Sequence, residues 1–166
     1  MGAKKVLVVG RGIRKEGVNG TTSKMKPGHF VRAISDTAVG FVGTGGDAIS
    51  PRVVVEKDMF GAGLERFPGS ADANTGLVQG VDPDYASNEN VITEVMPPGS
   101  EVYAYLAQDN TAKGTVGYGS PLMAYTNGAL MAQAANTHAV AIIRESVTFD
   151  AGSVGDDLGM VRVEIV

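Results

Sequence analysis

The chain has 166 residues, of which 43% are hydrophobic, enough for one folded domain rather than a disordered segment. It contains no cysteine, which excludes disulfides and thiolate metal sites. Its 23 glycines are about twice the usual share and favour short strands and tight turns. No apolar run approaches the roughly 20 residues of a membrane-spanning helix, so we expect no membrane contact.

The net charge of −4 is distributed unevenly along the chain. Residues 1–32 hold eight of the 14 basic residues and one acidic residue, a charge of +7, whereas residues 33–166 carry −11. A basic segment on an acidic body indicates either a partner with a negative surface or a solvated tail. Because the acidic body would repel a duplex, we expect no direct contact with nucleic acid.

Residues 1–26 are predicted to form an extended basic arm. Residues 5–9 are β-prone, and residues 10–26 are Gly-rich with no sustained apolar period. Such a segment buries too little surface to fold alone, so we expect it to stay extended or disordered until it binds a partner. Pro27-Gly28 is a turn signal that starts the folded body, residues 27–166. The arm side chains expected to bind the partner are Lys4, Lys5, Val6, Leu7, Val8, Val9, Arg11, Arg14, Lys15, Lys24 and Lys26.

The first part of the body is predicted to contain short strands separated by turns and one long loop. The loop covers residues 58–75, which are rich in Gly, Ala and Asp. Tyr103 and Tyr105 alternate with apolar residues, which is typical of a half-buried strand. The strands predicted here cover residues 29–34, 41–42, 53–55, 76–81, 91–95 and 101–107.

The last part of the body has the clearest pattern. Two apolar runs flank Asn127-Gly128, which predicts a hairpin over residues 122–131 with a two-residue type I′ turn. Residues 139–148 predict a further strand, and residues 160–166 alternate cleanly between apolar and charged side chains. About eight to ten short strands, with turn signals every ~8–12 residues, predict a small mainly β domain, either a β-sandwich or a β-barrel.

The sequence offers no constellation for catalysis, so we predict neither an enzyme nor a cofactor or metal site. The oxygen ligands Asp82, Asp84, Asn88 and Asn90 lack the glycine and terminal glutamate of a calcium loop. Two histidines are too few for a multi-histidine zinc site, and no Gly-x-Ser-x-Gly elbow is present. A Ser/His/Asp site assembled from distant positions is the alternative that the sequence leaves open.

The tyrosines suit two roles, either a stacking face for a glycan or base or cross-strand packing at a subunit interface. We favour the interface. The residues predicted for it are Tyr103, Tyr105, Met123, Tyr125 and Met131.

Four segments of the body follow one another in a recurring order. They are Met25-Lys-Pro-Gly-His-Phe-Val-Arg32, then Gly119-Ser-Pro-Leu122 with Asn127-Gly-Ala-Leu130, then residues 139–147, and finally Met160-Val-Arg-Val-Glu-Ile-Val166. In this order they resemble the capsid decoration (cement) proteins of tailed bacteriophages. The resemblance implies a β-tulip-like domain with an extended N-terminal arm and no catalytic residues.

The resemblance also implies a place in the virion, on the outer surface of an assembled icosahedral capsid. There the chain would stabilise the head as a homotrimer at three-fold axes, with its arm on neighbouring copies of the major capsid protein. The alternative expectation is a surface-exposed glycan- or host-binding β-module that uses the tyrosines.

Overall fold

The computed structural model of the chain describes residues 7–10, 12–43, 52–55, 84–107, 114–149 and 159–166. Thirteen strands and one 3₁₀ turn lie within these residues, which confirms the predicted mainly β fold. The predicted loop at residues 58–75 and the predicted strand at residues 76–81 lie outside them. The strands are β1 (Leu7–Val9), β2 (Ile13–Asn19), β3 (Phe30–Ala33), β4 (Ala38–Phe41), β5 (Arg52–Val54), β6 (Asn90–Val95), β7 (Glu101–Tyr105), β8 (Gly114–Val116), β9 (Pro121–Ala124), β10 (Leu130–Ala132), β11 (Ala141–Ile143), β12 (Val147–Phe149) and β13 (Met160–Ile165).

Five strands close a small barrel in the order β2-β4-β3-β5-β6. Neighbouring strands are antiparallel except for β2 and β4, which pair in parallel. Tyr85 donates its hydroxyl hydrogen to the Val55 carbonyl oxygen at 3.0 Å, so the polar end of this buried ring has a partner. The barrel interior is filled by one cluster of buried side chains: Met25, Val31, Val39, Val54, Tyr85 and Val91.

The other strands form a six-stranded antiparallel sheet and a separate two-stranded ribbon, β8-β12. The order in the sheet is β1-β7-β13-β11-β9-β10. The sheet curls, because Leu106, just past β7, forms a parallel bridge with Leu130 of β10. The Ala107 amide reinforces this closure by donating to the Leu130 carbonyl oxygen at 2.7 Å.

Strand β13 shows why the sheet has one buried face and one face toward solvent. Side chains alternate across a strand, and every second residue of β13 is buried. Val161, Val163 and Ile165 are buried, whereas Arg162 and Glu164 are half-buried on the outer face, which confirms the predicted alternation.

The barrel and the sheet pack together through the larger of two apolar clusters, because two barrel strands bury side chains on both of their faces. Val31 of β3 and Val54 of β5 point into the barrel, and their neighbours Phe30 and Val53 point toward the sheet. Phe30 is fully buried in the larger of the two apolar clusters. The sheet side chains in that cluster include Val102, Leu106, Leu122, Leu130, Ile143 and Val163.

Residues 7–9 and 13–26 are part of this architecture rather than an arm. β2 pairs with β6 along six consecutive residues, from Ile13 opposite Val95 to Val18 opposite Asn90, and β1 pairs with β7. The prediction that residues 13–26 stay extended or disordered until a partner binds is therefore wrong. Residues 1–6 and Arg11 lie outside the described residues.

Apolar periodicity did not reveal β2 because this strand presents almost no apolar face. Its first four side chains, at residues 13–16, are exposed. The strand is held instead by its backbone ladder to β6 and by Asn19, whose side chain is fully buried. The Asn19 amide donates to three carbonyl oxygens, those of Ser23, Tyr85 and Ala86, at 2.9, 3.1 and 3.2 Å.

The hairpin predicted over residues 122–131 is confirmed, but its turn is longer than predicted. Asn127 and Gly128 have φ values of 58° and 80°, the positive φ that an Asn-Gly pair tolerates. The turn closes through a hydrogen bond from the Tyr125 amide to the Ala129 carbonyl at 2.9 Å. The prediction of a two-residue type I′ turn is therefore wrong, although Asn127 and Gly128 both adopt the positive φ on which that prediction was based.

Replacement of Asn19 by alanine tests whether residues 13–26 belong to the barrel. The change removes the donor to three carbonyl oxygens, and we expect the free energy of unfolding to fall by about 1–3 kcal/mol. Urea denaturation followed by circular dichroism measures the loss. The control is Asn90→Ala, at an exposed asparagine, for which we expect a change within about 0.5 kcal/mol. Equal stability of the two variants would contradict the role assigned to Asn19.

Candidate interaction surface

The side chains predicted to bind a partner are divided among several parts of the molecule. Leu7, Val8 and Val9 form β1, at the edge of the chain's own sheet. Arg14 and Lys15 are exposed on β2, Lys24 is exposed in the loop that follows, and Lys26 is half-buried. Those that lie outside the described residues are Lys4, Lys5, Val6 and Arg11.

Arg14 and Lys26 illustrate how these cations contact their own chain. The Nε atom of Arg14 lies 3.9 Å from Oε1 of Glu94 on β6, and the Arg14 side chain is 48% exposed. Because the Arg14 side chain is about half exposed and the two atoms are 3.9 Å apart, the pair contributes at most about 1 kcal/mol. The Lys26 ammonium lies 5.4 Å from the centre of the Tyr105 ring, within the range of a cation–π contact.

Tyr105 packs at the junction between barrel and sheet. Its ring meets the His29 ring edge-on with centres 5.0 Å apart, and His29 meets Phe41 of β4 edge-on at 5.6 Å. His29 is 7% exposed, and its Nδ1 accepts a hydrogen bond from the Lys26 amide at 3.1 Å. Tyr105 therefore links β7 to the barrel instead of presenting an open ring for stacking.

Five residues were predicted to lie at a subunit interface. The prediction is wrong for Met123, because this side chain is only 4% exposed within its own chain. β9 lies between β10 and β11, and the run from Leu122 through Ala124 is buried on both faces of the strand. Strand alternation therefore does not bring Met123 to the surface. The other four residues are half-buried, and their place at an interface stays a prediction: Tyr103, Tyr105, Tyr125 and Met131.

A row of alternating charges runs from β7 across β13 to the residue just past β11, on the outer face of the sheet. Glu101 of β7 lies 3.9 Å from Arg162 of β13, measured from Oε2 to Nη1. Arg144, just past β11, donates two hydrogen bonds to Glu164 of β13, one of them from Nε at 2.8 Å. These bonds raise the pKa of Arg144 above its ordinary value, and an arginine guanidinium is charged in proteins in any case. We call Glu101, Arg162, Glu164 and Arg144 the charged row.

Tyr118 stands at the end of the charged row and is 65% exposed. Its amide donates to Ser146 Oγ at 3.1 Å, and its hydroxyl accepts from Arg144 Nη1 at 3.4 Å. The Arg144 guanidinium lies 5.6 Å from the centre of the ring. Within the described residues, Tyr118 is the aromatic side chain most open to solvent. The contact was not visible in the sequence, because Tyr118, Arg144 and Glu164 are far apart along the chain.

The described residues contain no set of three histidine, aspartate or glutamate side chains placed to hold a metal ion. His29 is buried and His138 is exposed, and of the four weighed calcium ligands Asp82 lies outside those residues. None of the helical structure in the same part of the chain is long and apolar enough to cross a membrane.

Comparison with known proteins gives no assignment: neither the scan against protein-family models nor the search of curated proteins finds a match. Any functional proposal therefore rests on the sequence motifs and on the geometry above.

The Asn127-Gly128 turn docks against the barrel. A Cβ atom added to Gly128 would lie 2.8 Å from Cδ1 of Phe41, 2.9 Å from the Phe30 carbonyl oxygen and 3.0 Å from Cβ of His29. Gly119 has nearly the same φ, +82° against +80°, but a Cβ atom there would meet nothing within 4 Å. The two glycines therefore both need a positive φ, but of the two only Gly128 packs closely against the barrel.

The variants Gly128→Ala and Gly119→Ala distinguish the cost of a positive φ at alanine from the cost of a steric clash between the turn and the barrel. We expect Gly119→Ala to lower the free energy of unfolding by about 1–2 kcal/mol, the cost of a left-handed alanine. Gly128→Ala adds overpacking against the barrel, which costs about 1–3 kcal/mol more. Urea denaturation of the two variants gives the difference. If both lost the same stability, the turn would not dock on the barrel as described.

Proposed function

We propose that this chain is a decoration protein that binds the outer surface of an assembled icosahedral viral capsid and stabilises it. In this proposal it acts as a homotrimer at three-fold axes, and its other partner is the major capsid protein. The proposal extends the resemblance of its four body segments to bacteriophage cement proteins.

The observation that carries the proposal is that the four segments pack into a single core. Phe30 of the first segment, Leu130 of the hairpin, Ile143 of the third segment and Val163 of the last are all fully buried in one apolar cluster. Gly128 adds a direct contact between the hairpin turn and the first segment. Segments so far apart in sequence need not meet, so their convergence supports treating them as one structural unit.

A β-rich body can bind a repetitive shell without a deep pocket. On a lattice of identical subunits, many weak contacts act together, so avidity replaces high affinity at a single site. A protein that binds only the assembled shell shifts the equilibrium toward assembly by mass action. The charged row and Tyr118 offer the mixture of polar and aromatic side chains that protein interfaces use.

In this proposal, fewer N-terminal residues bind the capsid than the predicted arm of residues 1–26 contains. Residues 13–26 belong to the barrel, so deleting residues 1–26 would remove a barrel strand and would test folding rather than binding. Lys4 and Lys5 precede β1, and in the proposal they pair with carboxylates on neighbouring capsid subunits.

The variant Lys4→Ala/Lys5→Ala tests this contact without altering a barrel strand. Each exposed pair contributes about 0.2–1 kcal/mol, so we expect binding to weaken by about 2- to 25-fold in total. Co-sedimentation with heads purified from the encoding virus, grown without this chain, measures the bound fraction. The control is Lys57→Ala/Lys113→Ala, which also removes two positive charges, both outside the basic segment.

Two outcomes of that experiment have separate meanings. Undiminished binding by the double variant would contradict the role of the two lysines. Absence of saturable binding by the unaltered chain would contradict the capsid proposal itself. The alternative, a glycan- or host-binding module, stays a prediction, and Tyr118 is the exposed aromatic side chain that it would use.

A further inference from the structure

Strand β1 is attached to the sheet by a short pairing at one edge. It has three residues, and only two of them have register partners on β7, Leu7 opposite Val102 and Val9 opposite Glu101, with a register shift between them. On its other side β7 pairs with β13 at five successive positions. The outer edge of β7 is therefore a place where a strand can pair, and β1 occupies part of it.

The connection from β1 to β2 is short in sequence, and its two glycines are closely packed. Three residues separate Val9 from Ile13, and two of them are glycines. Gly10 has a φ of +116°, and a Cβ atom there would lie 2.6 Å from Ser100 Oγ. At Gly12 a Cβ atom would lie 2.7 Å from the Met96 sulfur. A short connection limits how far β1 can move within its own chain, and short hinge connections are where proteins exchange an element between copies.

We propose that the β7 edge is a strand-acceptor site and that Leu7–Val9 of a second copy of this chain fills it in the oligomer. A second copy is the favoured occupant because its Leu7–Val9 is the segment seen to fit this edge, and exchange preserves every backbone bond of the pairing. The three-residue connection spans at most about 14 Å, so the two copies must place β2 of one beside β7 of the other. This proposal does not depend on a capsid.

Cysteine pairing tests the exchange directly, because the chain has no cysteine of its own. Val9 and Glu101 are register partners, so Val9→Cys and Glu101→Cys lie within disulfide range when β1 occupies the β7 edge. The two single variants are mixed, unfolded together, refolded and oxidised, then separated by non-reducing electrophoresis. We expect a Val9→Cys/Glu101→Cys heterodimer that forms at least about ten-fold faster than collision allows, because exchange raises the effective concentration of the two thiols.

The control mixture pairs Val9→Cys with Asp36→Cys, in the exposed turn between β3 and β4, and gives the collision rate. The double variant Val9→Cys/Glu101→Cys, alone in one chain, should form covalent multimers. Insertion of Gly-Ser-Gly after Gly10 should shift that double variant toward an internal disulfide, because a longer connection favours pairing of β1 with β7 of its own chain. A purely internal disulfide at every protein concentration, with no heterodimer above the control rate, would overturn the proposal.

Discussion

Backbone pairing between residues 7–18 and residues 90–102 runs through both halves of the molecule, because β1 pairs with β7 in the sheet and β2 pairs with β6 in the barrel. Where the two strand pairs cross from one half to the other, Gly10 and Gly12 approach Ser100 and Met96 too closely for a side chain. The barrel and the sheet cannot separate without breaking this ladder or opening the core around Phe30.

This constraint changes what the basic N-terminal segment can do. A free arm loses conformational entropy when it binds, whereas side chains on a formed strand are already positioned. Arg14 and Lys15 project from β2 as part of a fixed surface, and Arg14 is paired with Glu94 of the same barrel. Among residues 7–10 and 12–19, β1 is the segment that could act as a donor to another subunit, once it is released from β7.

The sequence predicted those parts of the fold in which one side of a strand is apolar. β13 and β7 alternate, so their buried faces could be assigned, and Asn127-Gly128 marked the hairpin turn. β2 could not be found in this way, since its stability comes from main-chain hydrogen bonds and one buried asparagine. Met123 was misassigned because a strand between two others can be buried on both faces.

The candidate surface was harder to predict for a related reason. The run at residues 139–148 was predicted as one strand, but it divides into β11 in the sheet and β12 in the ribbon. Arg144 lies at that break, where it bonds Glu164 and approaches Tyr118. Such contacts join residues that are distant in sequence, and single-chain periodicity carries no information about them.

Hydrogen–deuterium exchange of the isolated protein tests most directly whether the N-terminal segment is a structural strand. If β2 is a wall of the barrel, the amides of Val18 and Asn19, which donate to the Thr37 and Glu89 carbonyl oxygens, should exchange as slowly as those of β6, with no partner present. Exchange of residues 13–19 at the rate of an unstructured peptide, while β6 and β7 stay protected, would contradict this account.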